Sequence, residues 1–155
     1  MWYVWEKMIA TTTWKVGGNN FANIGNQPAK TAYQNEIVSP VTTNTTDNVT
    51  EYKAKIGLMY ASDYGFAVDQ SMWKKMLGNY TTSLPNWMFL SNDEWTITRD
   101  SSNSAVAFIL ASEGKITNGY GNMKYSHQVR PVFYLTSSVT YASGEGTQSS
   151  PIRIN

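Results

Sequence analysis

Residues 86–111, NWMFLSNDEWTITRDSSNSAVAFILA, decide the fold class. The pieces at 94–99 and 105–111 are rich in β-branched and aromatic side chains, which fit a pleated, half-buried surface, and both read as strands. Between them Arg99-Asp100-Ser101-Ser102-Asn103 has the small polar residues of a hairpin turn. A strand is also expected at 87–90. Downstream, 129–136 reads as extended, and a last short strand, Pro151-Ile152-Arg153-Ile154, follows the glycine turn Ser143-Gly144-Glu145-Gly146-Thr147. In that turn Gly144 and Gly146 stand where a positive φ reverses the chain. The second half is therefore an antiparallel meander.

The first half reads differently. Val4, Trp5, Met8 and Ile9 share a helical face, and Thr11-Thr12-Thr13 then favours extended backbone, because branching at Cβ restricts χ1. Gly17-Gly18-Asn19-Asn20 is a turn. A helix is predicted from Pro28 to Ile37, with Pro28 in its first turn and Pro40 just beyond its end. The stretch VTTNTTDNVT at 41–50 reads as an exposed loop, and Lys55–Ala61 as a buried strand. Ser62-Asp63 is expected to cap a short helical turn, DYGFA. Gln70–Leu77 is expected to form a helix closed by Gly78. Two or three short helices followed by small twisted antiparallel sheets make an α+β domain, and residues 1–155 fit a single one.

Composition narrows the function. Charged residues are 15% of the chain, against about 25% in an average protein. Neutral polar groups replace them: 17 Thr, 15 Ser and 14 Asn. A net charge of +1 with no basic block argues against a nucleic-acid partner, which requires a concentrated cationic face. The absence of cysteine excludes disulfides, thiolate zinc sites and a cysteine nucleophile. A cysteine-free chain rich in Thr, Ser, Asn and Tyr has the composition of exported Gram-positive proteins, so a place on the bacterial cell surface is expected. The chain shows no signal peptide and no apolar run near the ~20 residues of a membrane span. It is expected to be a piece of a longer exported protein, attached to a membrane only through a segment absent here.

Catalytic chemistry finds little support. The single histidine, His127, lies in SHQVRP and reads as a loop-packing residue. The 11 acidic residues are scattered, and none pair by spacing for acid–base work. Asn92-Asp93-Glu94 could contribute oxygens to Ca²⁺, yet it reads better as a turn with an Asx-type hydrogen bond. Gly119-Tyr120-Gly121 lacks the further glycine and the Lys-Ser/Thr of phosphate loops. No catalytic residue, metal or cofactor is expected.

The aromatics say more. Trp14, Trp87 and Trp95 sit in strand-like surroundings and read as core. Tyr120 and Tyr125 instead lie in TNGYGNMKYSHQ, at 117–128, among Asn118, Asn122, Lys124 and His127. Rings that give rigid contact area, mixed with small hydrogen-bonding groups, form the palette of adaptable binding loops. Tyr120 and Tyr125 would stack on a ligand, and Asn118, Asn122 and Asn92 would hydrogen-bond it.

Four motifs together carry a resemblance: WEKMIATTTWKVGGN at 5–19, KIGLMYASDYGFA at 55–67, NWMFLSNDEWTITR at 86–99 and VRPVFYLTSSVTYASGEGTQSSPIRI at 129–154. They resemble a domain of unknown function from surface and prepilin-like proteins of Firmicutes, itself similar to the C-type-lectin-like fold that includes formylglycine-generating enzymes. The resemblance implies a C-type-lectin-like domain with long loops over one face, and a structural role for Arg130-Pro131 and Trp95. It does not carry over the activities. Pro85 follows Leu84 and Asn92-Asp93 follows Ser91, unlike the Glu-Pro-Asn and Trp-Asn-Asp of calcium-dependent lectins, and the cysteines of the formylglycine-generating enzymes are missing. The expected function is a non-enzymatic extracellular binding or adhesion module whose ligand is a glycan or a surface protein. The alternatives are the structural head of a pilin-like subunit that packs against copies of itself, and a diversified phage-type receptor-binding protein.

Overall fold

The computed structural model describes residues 6–18, 24–40, 49–101, 103, 105–118, 122 and 124–155. Along the chain run β1 (Thr12–Lys15), α1 (Ala29–Tyr33), β2 (Glu51–Ala54), β3 (Gly57–Leu58), α2 (Ala61–Phe66), β4 (Glu94–Arg99), β5 (Ala107–Leu110), β6 (Ile116–Thr117), β7 (Pro131–Val132), β8 (Tyr141–Ser143) and β9 (Arg153–Ile154). The strands pair antiparallel as β1-β2, β3-β7, β4-β5-β6 and β8-β9. Helices thus combine with small antiparallel sheets, an α+β arrangement.

The meander at 94–117 forms as its residues require. Glu94 pairs with Leu110 and Arg99 with Ala107, and the turn closes where Asp100 N–H donates to the Val106 carbonyl at 2.9 Å. The inward face of β4 is polar: Glu94, Thr96 and Thr98 are buried, while Trp95 and Ile97 are half-buried. The threonines can face inward because their hydroxyls are satisfied. Thr96 Oγ1 donates to the Phe108 carbonyl at 2.8 Å and Thr98 Oγ1 to Glu36 Oε1 at 2.9 Å. Trp95 is therefore not the core anchor expected. The core holds Ala29, Ala32, Met59, Ala61, Tyr64, Leu77, Tyr80, Phe108, Leu110 and Ile116, among others. Trp14 is buried as expected, with Nε1 donating to the Ala54 carbonyl at 3.1 Å.

The predicted Pro28–Ile37 helix is present, with Pro28 as its N-cap in extended conformation. Its second half, Gln34–Val38, widens into a π-helical turn that points Glu36 into the core at 1% exposure. Small residues let α1 and α2 approach closely. A Cβ added at Gly65 would lie 2.7 Å from Ala29 Cβ and 2.6 Å from Leu77 Cδ2.

The start of α2 corrects the expected cap. Tyr60, not Ser62 or Asp63, is the N-cap, because the Asp63 carboxylate reaches back to accept Tyr60 N–H at 2.9 Å. Ala61 N–H donates to Thr98 Oγ1 at 3.0 Å and Ser62 N–H to Glu36 Oε2 at 3.2 Å. The expected strand at Lys55–Ala61 shortens to Gly57–Leu58 for the same reason: the helix begins at Ala61. The helix expected at Gln70–Leu77 is replaced by two 3₁₀ turns, Gln70–Met72 and Leu77–Asn79. An antiparallel bridge between Pro28 and Met76, with Leu77 N–H on the Gln27 carbonyl, holds the chain extended between them.

Two other strand expectations fail for lack of a constant partner. Residues 87–90 form a turn and open chain. The 129–136 segment changes partner along its length, meeting β3 at Pro131–Val132 and Ile9 at Leu135. The glycine turn is as expected, with φ of 103° at Gly144 and 79° at Gly146. The expectations for Val4, Trp5, Asn19, Asn20, Tyr120 and the loop at 41–48 lie outside the described residues. No helix among the described residues is long and apolar enough to cross a membrane.

Burial raises the Glu36 carboxyl to about 7, against a pull downward by its hydrogen bonds from Ser62 and Thr98. An acid whose folded pKa lies above its unfolded value stabilises fully below the unfolded value, near 4.5, and that contribution is lost as pH rises through about 7. Urea titrations from pH 4.5 to 8 should show an unfolding free energy falling by about 3 kcal/mol from this group. Glu36→Gln, which keeps an oxygen acceptor for Ser62 N–H, should remove most of that slope.

Candidate functional site

The segments 87–94 and 126–132 run side by side and form a seam. Trp95 N–H donates to the Gln128 carbonyl at 3.0 Å, and Gln128 N–H to the Asp93 carbonyl at 2.9 Å. One ion pair locks the seam. Glu94 is 2% exposed, and Arg130 Nε donates to its Oε2 at 3.1 Å while Nη2 contacts the same oxygen and reaches the Met88 carbonyl at 2.7 Å. A charge this buried needs both its partner and these hydrogen bonds.

An open cleft of about 400 Å³ lies at one end of the seam, lined by Ser91, Asn92, Asp93, Ser112, Ser126, His127 and Gln128. Its walls are neutral hydroxyls and amides with one acid and one imidazole. Each charged or amide group at the turn is already directed. Asp93 Oδ1 accepts Ser112 N–H at 2.7 Å, and Asn92 Nδ2 donates to the Leu90 carbonyl at 2.9 Å. Ser91 holds the left-handed conformation, φ 60°, which is unusual for a residue with a Cβ. His127 packs edge-on against Trp95, with ring centroids 4.7 Å apart, and its Nδ1 lies 3.8 Å from Asp93 Oδ2. The histidine thus packs a loop, as its sequence context suggested, and also walls the cleft.

The candidate set divides. Asn92 lines the cleft; Asn118, Asn122 and Tyr125 do not. Asn122 caps a turn, its Oδ1 accepting Lys124 N–H at 3.0 Å, and its backbone bridges to Val106. Tyr125 is 44% exposed, lies 6.4 Å from the His127 ring, and has the Lys124 ammonium 5.1 Å from its own ring centre. Asn118 is half-buried, with Nδ2 enclosed and unpartnered among the described residues. The 92–94 cluster does not converge on a cation: Glu94 turns inward to Arg130, and Asp93 to the Ser112 backbone. Among the described residues no three acids or histidines group as metal ligands.

A second cleft of about 450 Å³ lies along the same seam, lined by Met59, Asp63, Phe66, Ala67, Trp87, Met88, Arg130 and Val132. Here the expected core role of Trp87 fails outright, since the residue is 79% exposed. The turn that carries it is pinned. Asn86 Nδ2 donates to the Tyr64 carbonyl at 2.9 Å, and Asn86 Oδ1 accepts Met88 N–H at 3.0 Å. The turn that carries this side chain outward is held by these two Asn86 hydrogen bonds.

Arg130→Met should cost about 3–5 kcal/mol in urea unfolding, because it leaves the Glu94 carboxylate buried and alone. The double variant Glu94→Leu with Arg130→Met should regain most of that loss, and a cycle with no coupling would show that the pair does not lock the seam.

No protein-family description, curated protein or solved structure matches this chain.

Proposed function

We propose that the chain is a non-enzymatic binding module of C-type-lectin-like fold, displayed on a bacterial cell surface, that recognises a glycan in the cleft between the 91–93 turn and the 126–128 segment. The observation that carries this reading is the lining of that cleft by Ser91, Asn92, Ser112, Ser126, His127 and Gln128, with Asp93 as its one acid, held by the Ser112 N–H. Hydroxyls, amides and an imidazole on a rigid frame suit a neutral polyhydroxylated ligand, which is bound through many modest hydrogen bonds. Tyr125 stands exposed beside His127, outside the cleft lining and with Lys124 over its ring. The motifs at 5–19, 55–67, 86–99 and 129–154, and the low-charge, cysteine-free composition, support the fold and the setting. Binding without calcium accords with the turning of Glu94 away from the cleft.

A glycan array probed with the purified chain, with Ca²⁺ and with EDTA, tests the reading. Saturable binding to one sugar family is expected in both arms, weakened at least ten-fold by combining Asn92→Ala with His127→Ala. Binding lost in EDTA would overturn the metal-free mechanism. Silence in both arms would overturn the glycan reading in favour of a protein ligand.

A further inference from the structure

One group in the polar cleft differs in kind from the rest. Asp93 is the single acid of the lining, and among the described residues no lysine or arginine lines it. The two cations closest in the chain to the 126–128 wall are turned elsewhere. The Lys124 ammonium stands 5.1 Å from the Tyr125 ring centre, and Arg130 is bound to Glu94 and to the Met88 carbonyl. The imidazole of His127 is the neighbour that remains, and its Nδ1 lies 3.8 Å from Asp93 Oδ2, too far for a hydrogen bond.

The carboxylate is also held in place. Its backbone carbonyl accepts Gln128 N–H at 2.9 Å, and Oδ1 accepts Ser112 N–H at 2.7 Å. Oδ1 is therefore spent, and Oδ2 is the oxygen on the His127 side of the cleft. The Asp93 side chain is 36% exposed, so a ligand can reach it. An acceptor fixed in this way by two other segments is ordered before anything binds, which lowers the entropic cost of using it.

Such a carboxylate discriminates between sugars of one shape. A hydroxyl or an amide N–H gives it a hydrogen bond, and an ammonium adds direct charge attraction to that bond. A second carboxylate is repelled. The neutral groups of the lining suit the ring, and the one charge among them decides the substituent.

We infer that Asp93 is the specificity-determining residue of this cleft, and that it selects amino sugars with a free ammonium over their N-acetylated forms and rejects sugars that carry a carboxylate. The inference rests on the glycan reading and narrows it. The hydroxyls and amides of Ser91, Asn92, Ser126 and Gln128 take the ring hydroxyls, and Asp93 Oδ2 takes the ammonium.

An array of matched probes at neutral pH tests it: 2-amino sugars of gluco, galacto and manno configuration, each as the free amine and as the N-acetyl form, with the corresponding uronic acids. Wild type is compared with Asp93→Asn and Glu113→Gln. The first variant removes the charge and keeps an oxygen acceptor for Ser112 N–H, and the second removes an exposed acid outside the lining. Unchanged thermal unfolding certifies both folds. Wild type should bind the amine of one configuration roughly ten-fold more tightly than its N-acetyl form, and the uronic acids not at all. Asp93→Asn should bring the amine-to-N-acetyl ratio near one, and Glu113→Gln should leave it as in wild type. Sugar binding without preference for the amine, or with the uronic acids bound comparably, overturns this inference and leaves the glycan reading standing. So does a preference that survives Asp93→Asn, or one that Glu113→Gln abolishes as fully, which would mark diffuse attraction. Silence on every probe overturns the glycan reading, and this inference with it.

Discussion

The head of α2 presents three N–H groups to the interior, and the rest of the fold is arranged around satisfying them. A helix always leaves its first donors without internal partners, and inside a core no water replaces them. Here each donor receives a side chain from a different place: Tyr60 from Asp63 in the helix itself, Ala61 from Thr98 on β4, and Ser62 from Glu36 on the π-helical turn. Thr98 also donates to Glu36, so the three elements share one hydrogen-bonded junction. That junction explains the π-helical widening, which turns a glutamate inward, and the polar inward face of β4. It also fixes where β4 leaves the core, and so where Glu94 stands.

From Glu94 the organisation passes to the seam. Arg130 binds the carboxylate on one side and the Met88 carbonyl on the other, so a single guanidinium positions both the 87–90 turn and the 126–132 segment. The polar cleft and the apolar cleft lie along the same two segments, yet their chemistry is opposite. One offers hydroxyls and amides, the other aromatic and thioether surface. Two faces of unlike character therefore lie on one seam, held by one ion pair.

What the sequence discloses follows from how local each cause is. The 94–99 strand, its turn, the Pro28 helix and the positive φ at Gly144 and Gly146 arise from residues close in the chain, and they could be read directly. The exposure of Trp87 depends on Asn86 binding the Tyr64 carbonyl, 22 residues away, which no local pattern carries. The half-buried place of Trp95 follows from the burial of its threonine neighbours, which depends on Glu36 and on Phe108. The break of the helix expected at 70–77 follows from the bridge between Pro28 and Met76, which exists only in the fold. Of the candidate binding residues, Asn92 fell on the cleft because it sits at a turn recognisable by composition. The part of Asp93, Ser112 and His127 in that cleft requires three distant segments to meet, and no spacing encodes it.

The β3–β7 pairing joins Gly57–Leu58 to Pro131–Val132, two residues a side across more than half of the described chain. The ladder is one of several short links, with the Arg130–Glu94 ion pair, the Gln128 bonds to Asp93 and Trp95 and the Leu135–Ile9 bridge, that hold the last segment to the rest, and they draw the boundary along which a partial opening would part 126–155 from the core. Both clefts take one wall from each side of that boundary, so neither survives the opening. Any molecule seated in either cleft therefore closes the C-terminal unit by mass action, and amide hydrogens along 126–155 report occupancy as slowed exchange, even where the ligand touches none of them.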